Sequence, residues 1–172
     1  RSHLAQAQFL SRAVHMFLTT AVRYETLEAV GARSYANSQM WQNITRTVSS
    51  QVAGILTDNA PPRMTYVIMD IIIAFVIAIL WLGSPGLPQF LSMTNLALGV
   101  AMAFSGPIGK SLPPLVVEVP SELPIVNSFE LTGDKIGRYL APFGVSFFLI
   151  YYDFTVLVPF SILLFLLVAS VK

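Results

Sequence analysis

The sequence predicts an all-α membrane protein: a bundle of six transmembrane helices in a single domain over residues 1–172. Three observations predict it. Charged residues make up 11% of the chain and hydrophobic residues 55%, whereas a soluble domain carries roughly 25% charged residues. Apolar stretches of roughly 20 residues, the length that crosses a ~30 Å hydrocarbon layer at 1.5 Å per residue, recur along the chain. Aromatic residues and lysine gather at the ends of those stretches, as they do at membrane interfaces.

The third expected helix, about 64–82, holds one charge, Asp70, and stops at Gly83-Ser84-Pro85-Gly86. The fourth, about 88–105, is uncharged and is followed by Gly106, Pro107 and Gly109. A polar, proline-rich link with Glu118 and Glu122 leads to the fifth, about 124–151, whose first turns carry Glu130, Asp134, Lys135 and Arg138. Asp134 and Arg138, four apart, make a favourable helical ion pair. The sixth, about 154–171, is uncharged up to Lys172. The first two, about 5–29 and 37–57, are apolar overall but interrupted by polar residues. The bias of Lys and Arg places Arg1, Arg63, Lys110, Lys135, Arg138 and Lys172 on the inner side. Both termini are therefore expected inside, in a bacterial inner membrane or an organellar one.

The polar residues within the expected spans fall on two stripes. Gln8, Arg12, His15, Thr19 and Arg23 recur at spacings of three and four on the first helix. Asn43, Arg46, Thr47, Ser50 and Gly54 do so on the second. Residues so spaced share a helix face, and polar groups inside a membrane face a bundle interior, a water-filled cavity or a partner. The two stripes thus point to a polar cleft or to an interface. Arg12 and Arg46 suit an anionic group there, or pair with Asp70, Glu130 or Asp134. Asp70 stands seven residues from Arg63, about two turns inside the membrane boundary.

Several function classes fall away. A net charge of +1 without a basic cluster gives no footprint for nucleic acid. The absence of cysteine excludes disulfides, thiolate metal sites and thiol catalysis. Two histidines supply few ligands for a transition metal or haem, so neither metal nor cofactor is expected. Bound lipid, or pigment within a photosynthetic complex, is compatible with the composition. Neither HExxH, GxSxG, a Walker loop nor GxGxxG occurs, so no enzyme is expected. The chain opens on Arg1 with no leader pattern, and reads as one that has lost a tag or targeting segment, or as a fragment.

The segment from Gly54 to Arg63 resembles the loop signature G-x-L-x-D-R-x-G-R-R of the major facilitator superfamily. Gly54, Leu56, Asp58 and Arg63 match, while Asn59, Pro61 and Pro62 replace an Arg, a Gly and an Arg. Ala7-Gln8-Phe9-Leu10-Ser11 is similar to the start of the first helix in the drug, siderophore and lysophospholipid exporters of that superfamily. Ser105-Gly106-Pro107, Leu112-Pro113-Pro114-Leu115-Val116, Glu122-Leu123-Pro124, Asn127-Ser128, Gly137-Arg138 and Pro142 resemble its fourth and fifth helices and the loop between them. The likeness runs through nearly the whole chain in the right order, and covers the first six of the usual twelve helices. His15, within Ala13-Val14-His15, stands where relatives often show Gly-Asp.

This resemblance implies one half of a transporter: two inverted three-helix repeats, with a substrate site near the midplane between two such halves. It implies that Gly54 allows close packing against a helix of the second half, and that Asp58 joins a charge network at a helix end. Two functions follow. A transporter-like half would pair with a second six-helix half, as homodimer or heterodimer, and move a small amphipathic or anionic organic molecule by alternating access. An accessory subunit would use the same polar faces to join a larger respiratory or photosynthetic membrane complex.

Overall fold

The computed structural model describes residues 2–59, 61–111, 121 and 123–171. Among these the chain forms six α-helices and no strand. They are α1 (Ser2–Val30), α2 (Ala32–Asn59), α3 (Pro62–Gly83), α4 (Leu87–Ser111), α5 (Leu123–Tyr151) and α6 (Phe154–Val171). The proline-rich link with Glu118 and Glu122 lies outside the described residues.

Local chemistry sets the helix ends. Pro61 and Pro62 open α3, where a missing N–H costs no intrahelical bond. Gly83-Ser84-Pro85 ends it, the Ser84 N–H closing on the Leu80 carbonyl at 3.0 Å. The backbone carbonyl of Asp153 starts α6 by accepting from the N–H groups of Val156 and Leu157 at 3.0 and 3.3 Å.

Three boundaries differ from the sequence expectation: α4 runs through Gly106 and Pro107 to Ser111, six residues past its expected end at 105, and the other two flank α2. The residues 30–36, read as a link, shrink to Gly31 alone between α1 and α2. Gly31 has φ +92°, a left-handed conformation open to glycine. Its N–H bonds the Leu27 carbonyl at 3.2 Å and its carbonyl accepts from Tyr35 at 3.0 Å, so both helices run up to one residue. At the other end α2 continues through Asn59, whose Nδ2 donates to the Ile55 carbonyl at 2.7 Å. Gly54, Leu56 and Asp58 therefore sit on a helix and not in a loop.

Helix α1 is central: it packs on α2, α4, α5 and α6. The contact of α2 with α4 is the most extensive, and α3 packs on α4 and α6. The shared core is built from Leu18 and Val22 of α1, Ile77 of α3, Leu91 and Leu98 of α4, and Leu157 and Phe165 of α6, all fully buried. Gly99 explains how α2 and α4 come so close. A Cβ there would stand 2.7 Å from the Gln42 carbonyl oxygen, so only glycine admits the α2 backbone at this point.

Among the described residues two helices are long and apolar enough to cross a membrane, Met64–Gly83 and Leu87–Pro107, while α6 is apolar but shorter. The sequence pattern predicts six such spans. The polar stripes on α1 and α2 and the charges opening α5 lower their apolarity below that standard. Only 28% of the Met64–Gly83 stretch is buried inside the chain. Phe75, Ile79 and Leu82 point outward at 65, 62 and 85% exposure. Large exposed apolar patches of this kind mark contact with a membrane or with another protein.

Candidate functional site: an arginine-lined cavity

Positions 12, 16, 20, 23 and 27 of α1 lie on one face at helical spacing, and this face forms one wall of a cavity of about 990 Å³. Tyr35 and Arg46 of α2, Met102, Ser105 and Gly106 of α4, and Asn127, Leu131, Arg138 and Pro142 of α5 complete the wall. The volume is at the upper end for small-molecule sites, roughly 300–1,000 Å³. Four of the chain's seven arginines, Arg12, Arg23, Arg46 and Arg138, line it together with His15. No Asp or Glu is among its described lining residues.

One end of the cavity is backed by a carboxylate. Asp70 of α3 is 2% exposed, inside the bundle. A buried carboxylate demands partners, because leaving it bare costs several kcal/mol. The Ser11 hydroxyl donates to it, 2.9 and 3.0 Å from its two oxygens. His15 Nε2 lies 3.6 Å from Oδ1. Buried Tyr66 sits in the same cluster, within the electrostatic reach of Asp70 and Arg12. The His15 ring stands edge-on to Phe165 at 4.8 Å, and its Nδ1 is buried with no hydrogen-bond partner.

The other end is held by neutral amides and hydroxyls. Arg23 Nη2 donates to Gln42 Oε1 at 2.9 Å, and Gln42 is 1% exposed. Asn95, fully buried on α4, donates from Nδ2 to the Leu91 carbonyl at 3.0 Å and to Ser38 of α2 at 3.2 Å, with Thr26 of α1 at 3.4 Å. Three helices are thereby tied beside the Gly31 turn. Arg23 and Arg46 are close enough for each to feel the other's charge, with Tyr35 alongside.

Of the residues expected at a cleft, Arg12, His15 and Arg46 line the cavity. Thr19 is buried with its hydroxyl unpartnered, and Thr20 takes the wall position instead. Asn43 and Ser50 are exposed on α2 away from the lining, the Ser50 hydroxyl donating to the Thr47 carbonyl at 2.6 Å. Arg138 lines the cavity, while the side chains of Glu130 and Asp134 lie outside the described residues, as do those of Gln8 and Arg63. Leu56 and Asp58 are exposed near the end of α2. A Cβ on Gly54 would meet nothing within 4 Å among the described residues, in contrast to Gly99.

Sequence reasoning passed over Ser11 as a partner of Asp70, and over Tyr35, Gln42 and Gly99. The first two of the α2 set, Tyr35 and Gln42, share a helical face with Arg46 at spacings of seven and four. That signal needs α2 to begin at Ala32. Among the described residues no three His, Asp or Glu gather to hold a metal ion. No family model, curated protein or solved structure matches this chain.

Proposed function

We propose that the chain is a membrane-embedded transporter half, which pairs with a second six-helix half and moves a small organic anion by alternating access. The cavity carries this reading: four arginines and His15 face one hollow, and at its Arg23–Arg46 end the hydrogen-bond partner of Arg23 is a neutral amide. Arg23 and Arg46 lie within each other's field, and an anion entering between them removes that repulsion. Met16, Leu27, Met102 and Leu131 offer apolar contact beside the charges, which suits an amphipathic molecule.

The outward apolar residues of α3 and α6 support insertion into lipid, with both termini on the inner side. The resemblance to the major facilitator superfamily supports the pairing of halves. Helix α2 supports a protein partner. Its outer face mixes Trp41, Ile44, Val48 and Val52 with Asn43, Thr47, Ser50 and Gln51, all exposed. Neither lipid nor water matches such a face, whereas a protein surface can satisfy both kinds of group. The same face favours a second reading, an accessory subunit seated in a larger membrane complex.

The test is selective binding by the full chain in lipid nanodiscs. Hexyl phosphate and hexyltrimethylammonium share a tail and differ in the sign of the head. The account predicts at least tenfold tighter binding of hexyl phosphate. Equal binding of the two, or preference for the cation, contradicts it.

A further inference from the structure

The two charged ends of the cavity are not equivalent. At the Arg12–His15 end the protein supplies its own counter-charge, the buried carboxylate of Asp70, bonded by Ser11 and 3.6 Å from His15. At the Arg23–Arg46 end the partner is the neutral Oε1 of Gln42. Two guanidinium groups are brought into each other's field there. Glu28, one turn beyond Tyr24, bonds the Tyr24 hydroxyl and is not among the lining residues.

Arg23 is also incompletely bonded. Gln42 occupies Nη2, while Nε is buried with no hydrogen-bond partner. A guanidinium presents its donors as a planar fork that suits the paired oxygens of a carboxylate or phosphate. Gln42 holds that fork in place, since it is 1% exposed and its backbone is pressed against Gly99 of α4. Met16 lies seven residues before Arg23 on the same wall, roughly 10 Å along the helix.

We propose that the Arg23–Arg46 end of the cavity is the head-group subsite for an amphipathic oxyanion, a carboxylate or phosphate, whose apolar chain lies along Met16, Met102 and Leu131. Arg23 and Arg46 supply the two charges that hold the anion, and Gln42, bonded to Arg23 Nη2, is a positioning residue. This rests on the anion-binding reading of the cavity and adds to it which end binds the charge.

The experiment is titration of hexyl phosphate into the full chain in nanodiscs of zwitterionic lipid, for wild type and the variants R23Q, R46Q, R12Q and R33Q. Arg33 is exposed on α2 and off the cavity wall, so R33Q removes an equal charge elsewhere and binding stays unchanged. R23Q and R46Q are each expected to weaken binding at least tenfold, and R12Q about threefold. Arg46 is exposed and outside the core, so R46Q carries the test should R23Q fail to fold.

A loss in R12Q as large as that in R46Q overturns the subsite and leaves the anion cavity standing. Failure of the wild type to prefer hexyl phosphate over hexyltrimethylammonium overturns both. Phosphatidic acid in the disc separates two sources of the same chemistry. Displacement of hexyl phosphate assigns the subsite to a lipid head group, and undisturbed binding assigns it to a free amphiphile.

Discussion

Asp70 shows how a single residue can be conspicuous in a sequence while its partners are not. One acid in an apolar run of twenty residues has to be bonded or neutralised, and the sequence alone says so. Its partners, Ser11 and His15, sit 59 and 55 positions away. They are four apart on α1, which puts them on one face, but nothing local says that α3 crosses that face. A hydrogen bond to a charged group contributes about 1.5–3 kcal/mol. Ser11→Ala therefore lowers unfolding free energy by about that amount, as read from thermal melts in detergent. A change below about 0.5 kcal/mol would show that the hydroxyl is incidental to the carboxylate. Thr19 and Thr20 make the same point in reverse: adjacent threonines on a polar stripe divide between the core and the cavity wall according to a rotation of 100°, finer than spacings of three or four resolve.

At the scale of elements, the helices were legible where punctuation is strong. Pro61-Pro62 and Gly83-Ser84-Pro85 bracket α3, and Tyr152-Asp153 separates α5 from α6, all at or within two residues of the expected ends. The α1–α2 turn was not, because a run such as Arg33-Ser34-Tyr35-Ala36-Asn37 looks like a link until one knows that Gly31 makes the whole reversal by itself. An L-residue in the left-handed region costs about 1–2 kcal/mol. Gly31→Ala should lower stability by that amount without touching the cavity wall, so probe affinity stays near that of wild type in a protein that melts earlier. Gly99 predicts a different outcome. A methyl group 2.7 Å from the Gln42 carbonyl must push α2 outward. Gly99→Ala then costs about 1–3 kcal/mol and, by withdrawing Gln42 from Arg23, also lowers hexyl phosphate affinity. Loss of stability with unaltered affinity would separate the α2–α4 seam from the site.

For the whole molecule, composition and spacing sufficed for the six helices of the described residues, and not for the site. The stripes on α1 and α2 are visible in the sequence, yet which of their members meet depends on how α4 and α5 close around them. Arg138, read as half of a local ion pair, reaches the cavity from α5. Tyr35 joins it because α2 starts early. Gly54 illustrates the other limit: the resemblance assigns it a close contact with a second half, and among the described residues a Cβ there would meet nothing within 4 Å. The mixed outer face of α2 and the wide cavity fit together if the bundle is one of two.

The most direct test is the native mass of the assembly released gently from its source membrane. The account predicts two copies of the subunit, or the subunit together with one other six-helix half. Migration of the chain as one component of a large assembly of many different subunits would contradict it, and the polar face of α2 would then be an interface of that complex.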